Sequence, residues 1–255
     1  MLKQKKTKLV NKLKKVLDNQ TNKEYNIGEG NELSSSSINH EVSKMVNKQL
    51  TIIGEAITKV PEEMGYTPEE FPSILIAGGA IRDSIFGLEV NDFDVFVDVS
   101  NLMNDEGEDF LLLIADTIRK GLEPIAKYST PCHPDSLYDI GDDQYKDNKT
   151  KEPISFYEIM VEDFGPYKPI QVIGHKDKNI GDDPFEFVNK FDYSLVKAFY
   201  SPFKKTIGVH KEFFKTLSSG EVEVSNKQTY KRVDELTYRF NETPFPFKIK
   251  KTYLD

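Results

Sequence analysis

Residues 74–99 read ILIAGGAIRDSIFGLEVNDFDVFVDV, and this stretch decides the fold. The apolar run Ile74–Ala77 is short and stops at a pair of glycines, which predicts a buried strand that ends in a tight turn. Residues 80–86 then predict a short helix that ends near a further glycine. From Asp92 to Val99 acidic and apolar residues alternate with a period of two, which predicts a second strand.

The second strand presents two carboxylates on one face. Residues two apart in an extended strand project to the same side with Cα atoms about 6–7 Å apart, so Asp92 and Asp94 are expected side by side. Phe93 then points into the core. Like charges held this close are stabilised by a divalent cation that prefers oxygen ligands. The pair therefore predicts a site for Mg²⁺ (or Mn²⁺), the type of ion that serves phosphoryl displacement.

The glycine turn supplies the other half of the predicted site. Gly78 and Gly79 permit unusual dihedral angles and let backbone N–H groups approach phosphate oxygens. The N-terminus of the following helix adds partial positive charge. Arg82 is placed for a two-hydrogen-bond contact to phosphate or carboxylate, and Asp83 to orient Arg82 or the turn. Either half alone is more typical of an ordinary turn or a solvated strand, and it is the combination that predicts nucleotide binding.

The run from Gly78 to Gly87, followed by Asp92-Phe93-Asp94, closely resembles the signature of the polymerase-beta nucleotidyltransferase superfamily. Its nearest counterparts are the head domains of tRNA CCA-adding enzymes and bacterial poly(A) polymerases. The resemblance covers residues 74–99 and continues faintly to residue 173. It implies an α/β (α+β) fold in which a mixed nucleotidyltransferase sheet is flanked by helices.

The same resemblance implies an activity and its residues. Asp92 and Asp94 would be the catalytic metal ligands, and Gly78, Gly79 and Arg82 would contact the triphosphate, with Asp83 as a supporting carboxylate. The implied reaction transfers a nucleoside monophosphate from an NTP to an acceptor hydroxyl, with the 3′ end of RNA as the favoured acceptor, and releases pyrophosphate. A protein hydroxyl or a small molecule is an alternative acceptor, because a fold does not fix a function.

One position departs from the family. The family carries a third carboxylate on a later strand, and the matching strand here, residues 169–173, carries Gln171. A neutral amide cannot accept a proton as a carboxylate does. Either the alignment is shifted, or Glu158, Asp163 or Asp192 supplies the acid, or the chemistry is weakened.

No match to the tRNA-positioning neck and body of the CCA-adding enzymes is visible. The chain therefore more closely resembles smaller head-only transferases, including those encoded by viruses and bacteriophages. The alternative from a different class is a catalytically reduced nucleotide- or RNA-binding regulatory protein of the same fold.

The sequence predicts three parts. Residues 1–40 form a basic arm and flexible linker, 41–180 the catalytic domain, and 181–255 a mostly helical extension packed on it. Within these parts, 129–152 is predicted to be an acidic loop, 154–161 and 169–173 a β-hairpin, and 184–200 a helix.

Composition narrows the class of protein. The 255 residues include 38% hydrophobic and 30% charged residues, and the net charge of −8 argues against a surface built throughout to coat nucleic acid. The single cysteine, Cys132, excludes an internal disulfide and a cysteine-based zinc site. No apolar run approaches the roughly 20 residues of a membrane span. We therefore expect a cytoplasmic protein, in the host cytoplasm if a virus encodes it, with no membrane partner.

Overall fold

The structure is a computed structural model that describes residues 48–102, 104–123, 125–132, 153–162, 168–224, 230–231, 233–235, 237 and 247–251. The predicted basic arm and linker at 1–40 lie outside the described residues, as do Asp163 and the greater part of the predicted acidic loop. None of the helices in the described ranges is both long enough and apolar enough to cross a membrane.

The described helices are α1 (Lys48–Glu63), α2 (Gly79–Phe86), α3 (Asn104–Gly121), α4 (Asn179–Asp182), α5 (Pro184–Asn189) and α6 (Lys211–Ser219), with a 3₁₀ helix at Ser194–Val196. The strands are β1 (Ile74–Ala77), β2 (Phe93–Asp98), β3 (Ala126–Cys132), β4 (Pro153–Val161), β5 (Lys168–His175), β6 (Ala198–Ser201), β7 (Thr206–Val209), β8 (Glu221–Val224) and β9 (Lys248–Lys251).

Seven strands form one mixed sheet in the order β3-β4-β5-β2-β1-β6-β7. Strands β2 and β5 run parallel, whereas the other neighbours in this sheet are antiparallel. Helices pack against the sheet, so the predicted class, a mixed sheet flanked by helices, is confirmed. The antiparallel pairing of β4 with β5 also confirms the predicted hairpin strands.

The two faces of the sheet are covered by different helices. Phe93 has no exposed surface and points to one face, as predicted. On that face Leu111 of α3 lies against Gly174 of β5, and α1 packs on α3. The opposite face carries Asp94 and Phe96, and it is covered by short helices α4 and α5. The core cluster on this second face comprises Leu75, Ala77, Phe96, Ile173, Ile180, Phe187, Val188 and Phe199.

Two predictions about secondary structure are wrong. The segment predicted as a helix at 184–200 contains α5, then the 3₁₀ helix, then β6. The side chain of Asp183 starts α5 by accepting hydrogen bonds from the N–H groups of Phe185 and Glu186, but the chain leaves the helix after Asn189. Strand β6 is buried throughout and pairs with both β1 and β7, so long-range pairing overrides the local helical pattern. Residues 129–132 of the predicted loop belong to β3.

Contacts divide the chain into two compact units. The larger consists of Val46–Phe191 and Val196–His210 and contains the seven-stranded sheet, so two strands beyond residue 180 extend that sheet. The smaller consists of Met1–Met45, Asp192–Leu195 and Lys211–Asp255. Its described part holds α6 and the parallel strand pair β8–β9, so it is not helical alone. The hydroxyls of Ser194 and Thr216 lie 2.6 Å apart within this smaller unit.

Candidate nucleotide and metal site

The turn between β1 and α2 is built on Gly78. This residue has φ 85° and ψ −136°, a conformation that side-chain-bearing residues rarely adopt. Its N–H donates to the carbonyl oxygen of Ala198 on β6 at 3.0 Å, which ties the turn to the sheet. This hydrogen bond occupies the N–H of Gly78, so within the turn it is the amides that follow which could face a phosphate.

Helix α2 begins directly after this glycine. The first backbone N–H to bond back along the helix is that of Arg82, which donates to the Gly78 carbonyl oxygen at 3.3 Å. The amides of Gly79, Ala80 and Ile81 therefore have no acceptor within the helix. The N-terminus of a helix with such amides favours negative charge.

The two aspartates lie at the start of β2. Asp94 is within the strand and pairs in register with Ala77, the last residue of β1 before the turn. Asp92 lies one residue before the strand begins, and both aspartates are partly exposed. Oδ2 of Asp94 is 3.6 Å from the position that a Cβ atom would take on Gly78. The absent side chain of Gly78 thus leaves a small space beside a carboxylate oxygen.

Arg82 and Asp83 form a buried ion pair inside α2. The Nε of Arg82 donates to Oδ1 of Asp83 at 2.7 Å, and Nη2 donates to Oδ2 at 3.0 Å. The two residues are only 4% and 2% exposed. Nη2 also lies 3.5 Å from the Cβ position of Gly79. Two parallel hydrogen bonds fix the plane of the guanidinium group beside the glycine turn.

The strand register places Gln171 and one candidate third acid, Glu158, relative to Asp94. Gln171 pairs with Asp94 across the parallel strands β2 and β5, and Glu158 pairs with Gln171 across β5 and β4. Directly paired residues share a face, so all three lie in one row. Neighbouring strands are about 4.8 Å apart, which puts the Cα of Glu158 about 10 Å from that of Asp94. Glu158 is partly exposed.

Of the other two candidate acids, Asp163 is outside the described residues, and Asp192 belongs to the smaller unit. Within the described ranges, no group of three or more His, Cys, Asp or Glu side chains is arranged to hold a metal ion. The identity of the third acid therefore stays a prediction.

The aspartate pair does fit a hard divalent cation. Carboxylate oxygens are the ligands that Mg²⁺ prefers, and Mg²⁺ is commonly held by one or two carboxylates together with substrate phosphates. The space left by Gly78 lies beside Oδ2 of Asp94, and the first amides of α2 follow that glycine directly. Residues that could hold the metal and residues that could face a phosphate therefore lie at the same turn.

Two residues that support the candidate site were missed by sequence reasoning. Lys168, at the start of β5, is 7% exposed, and its Nζ donates to Oε1 of Glu89 and to the carbonyl oxygen of Val90, both at 2.6 Å. It holds the loop that leads into Asp92. Nothing near Lys168 in sequence marks it, because its partners are 78 and 79 residues away.

Phe191 is the second missed residue. Its ring atom Cε2 lies 3.7 Å from the Cβ position of Gly78. A sequence signal was present, since Phe187 and Phe191 are four residues apart and their rings pack edge to face with centroids 5.5 Å apart.

Comparisons with known proteins give the following matches. The model of a family described as Gabija anti-defense 2 family protein (Gad2) matches residues 43–220. Among solved structures, a CCA-adding enzyme with CTP is 15% identical with a TM-score of 0.49. The Thermotoga maritima CCA-adding enzyme complexed with tRNA is 15% identical with a TM-score of 0.48. Each match covers 83% of this chain and 42% of the other, so the chain spans less than half the length of these enzymes. None of the curated proteins compared with the chain matches it.

Proposed function

The chain belongs to the Gabija anti-defense 2 family, and we propose that it acts as a metal-dependent nucleotidyltransferase. In this proposal it transfers a nucleoside monophosphate from an NTP to an acceptor hydroxyl and releases pyrophosphate. The transfer would be the means by which it opposes the defence named in the family description.

One observation carries the proposal. The carboxylate of Asp94 lies beside the side-chain-free Gly78, at the point where the first amides of α2 begin. Oxygens that could bind a metal ion and N–H groups that could bind phosphate are thus adjacent, and an NTP complexed with a divalent ion requires both. The combination distinguishes this turn from a strand end with a glycine pair alone.

Each residue has a role in the proposed reaction. Asp92 and Asp94 would hold Mg²⁺ (or Mn²⁺), which when bound neutralises charge on the triphosphate and the leaving oxygen. Gly79 and the amides after it would seat the phosphates, and Asp83 would keep the guanidinium of Arg82 aimed at them. The acceptor oxygen attacks the α-phosphorus as its proton passes to a base, and the bond to the bridging oxygen breaks so that pyrophosphate leaves.

Among the candidate bases, the register favours Glu158. A general base must reach the acceptor hydroxyl, directly or through one water, and it need not share the metal. Glu158 shares a sheet face with Asp94 at about 10 Å between Cα atoms, with Gln171 between them in the row, and one water could complete the reach of Glu158 to an acceptor hydroxyl. Asp192 and Asp163 remain the alternatives. Glu158→Gln is expected to lower kcat strongly with little change in NTP affinity.

Two kinds of acceptor are compatible with the proposed reaction. The signature resemblance favours the 3′ end of RNA, whereas the family description favours a component of the defence as the target. Purified protein would be incubated with Mg²⁺, each α-labelled NTP, and either total RNA or the purified proteins of the defence. Label in RNA or label in a protein would identify the acceptor, and an Asp92→Ala, Asp94→Ala double variant is the control.

A second candidate function has its own supporting observation. Gln171 occupies the register position directly beside Asp94, where the polymerase-beta nucleotidyltransferases that the signature resembles carry an acid. This favours a catalytically reduced protein that binds a nucleotide or RNA and acts by binding alone. Wild-type protein that binds Mg²⁺ and NTP tightly but transfers no label to any acceptor would favour this second candidate.

A further inference from the structure

Phe191 lies two residues after the end of α5, and neighbouring aromatic side chains hold its ring in place. The ring packs on Phe96 of β2 with centroids 5.8 Å apart and on Phe187 of α5 at 5.5 Å. The backbone N–H of Phe191 donates to the carbonyl oxygen of Val188 at 3.2 Å. The preceding residue, Lys190, is tied by its Nζ to Oδ2 of the buried Asp177 at 2.7 Å. The ring is therefore positioned by the fold.

The free edge of this ring borders the candidate site. Seen from the Cβ position of Gly78, Cε2 of Phe191 lies at 3.7 Å and Oδ2 of Asp94 at 3.6 Å. The space at Gly78 is thus bordered by both a carboxylate oxygen and an apolar ring. The ring is only partly buried, so the core cluster does not cover it completely.

The groups that border this space suit different parts of a nucleotide. The carboxylate and the helix amides suit a metal ion and phosphates, whereas an uncharged aromatic ring supplies neither positive charge nor an N–H donor to a phosphate. The sugar and the base of a nucleotide both have apolar surfaces that pack well on aromatic side chains.

We propose that Phe191 contacts the nucleoside part of the NTP bound at the Gly78 turn. This inference deepens the proposed function and rests on the same site. Every base has a π face, and a ring that packs on it reads no hydrogen-bonding pattern. Phe191 therefore contributes to affinity for all four NTPs and does not choose between them.

The test compares nucleotides with a ligand that has phosphates only. Binding of ATP, CTP, GTP, UTP and inorganic tripolyphosphate, each with MgCl₂, would be measured by calorimetry on the full chain without acceptor. Phe191→Leu keeps apolar bulk for the core cluster and removes the ring. It is expected to weaken binding of each NTP by about 10-fold while tripolyphosphate binding stays unchanged. Phe191→Tyr keeps the ring and is expected to bind NTPs like the wild type.

A matched control is available on the preceding helix, α5. Phe185 is 43% exposed, and its ring packs edge to face on Phe199 with centroids 5.1 Å apart. Phe185→Leu makes the same chemical change at a ring that packs on Phe199 and is expected to leave NTP binding unchanged.

Each outcome bears on the inference separately from the proposed function. Equal weakening of NTP and tripolyphosphate binding by Phe191→Leu, no weakening, or weakening for one NTP alone would overturn the contact with the nucleoside. Wild-type protein that binds NTPs but transfers no label would refute the proposed transfer and leave this inference standing. Wild-type protein that binds no NTP would overturn both.

Discussion

Substituting Gly78 with alanine probes the turn on which the account depends. The backbone at Gly78 has φ 85° and ψ −136°, and holding a non-glycine residue in such a region costs on the order of 1–3 kcal/mol. The added Cβ would lie 3.6 Å from Oδ2 of Asp94 and 3.7 Å from Cε2 of Phe191, which are ordinary van der Waals distances. No clash adds to the backbone cost. We therefore expect Gly78→Ala to lower the free energy of unfolding by about 1–3 kcal/mol.

The same methyl group is expected to damage ligand binding. It would lie beside both the carboxylate and the ring, in the space assigned to the nucleotide, so the affinity for Mg²⁺-ATP should fall by about 10-fold or more. Gly87→Ala is the matched control, because Gly87 also has a positive φ of 68° and a Cβ there would meet no atom within 4 Å. Its backbone cost of about 1–2 kcal/mol should appear in stability alone.

Urea unfolding and calorimetric titration with Mg²⁺-ATP would be carried out on both variants. The expected pattern is a comparable loss of stability in the two variants and a loss of ATP affinity in Gly78→Ala only. Wild-type affinity in a folded Gly78→Ala protein would refute the placement of the nucleotide at this turn. An equal loss of ATP affinity in Gly78→Ala and Gly87→Ala would show that general destabilisation causes the loss.

Two further predictions concern charged side chains away from the carboxylate pair. Lys168→Met removes the donor to the buried carbonyl oxygen of Val90, so the free energy of unfolding measured in urea should fall by about 1–3 kcal/mol. An unchanged free energy would show that the loop before β2 does not depend on the hydrogen bonds of Lys168. In α3, hydrogen bonds from Lys120 and then Arg119 hold the pKa of Asp116 below its ordinary value. A lowered pKa stabilises the fold above the unfolded-state value of about 4 and loses this effect as pH falls through the folded-state value. Asp116→Asn should therefore be less stable than wild type by about 0.5 kcal/mol near neutral pH, with the difference vanishing in acid, and a difference independent of pH would contradict the assignment.

The segment from β1 to β2 could be predicted because its determinants are local. The apolar run, the glycine turn and the alternating acids lie within 26 residues, from Ile74 to Val99, and each pattern acts on its own neighbours. The burial of Phe93 followed from the period of two in β2.

Strand β6 could not be predicted in the same way. Its residues Ala198–Ser201 are all buried, and a short apolar run of this kind fits a helix and a strand equally well. What decides its structure is pairing with β1, which is more than 110 residues earlier in the chain. The hydrogen bond from the Gly78 N–H to the Ala198 carbonyl oxygen depends on that pairing, so it could not be predicted from the sequence either.

The polar residues of the candidate site could be predicted from the sequence. Asp92 and Asp94 stand out by their spacing, and the placement of Gln171 beside Asp94 followed from assigning residues 169–173 to a strand. Phe191 reaches the Gly78 turn only because α5 packs on the sheet face that carries Asp94. An apolar residue of this kind looks like any other core residue in a sequence.

The most direct test of the central claim uses NTPs labelled at either the α- or the γ-phosphate, with the acceptor fraction that becomes labelled. Nucleotidyl transfer predicts that the α-label enters the acceptor, that the γ-label leaves as pyrophosphate, and that both events disappear in Asp92→Asn and Asp94→Asn variants. Entry of the γ-label into the acceptor would indicate phosphoryl transfer and contradict the account. Unchanged α-label transfer by the two variants would also contradict it, because the reaction would then not depend on these carboxylates.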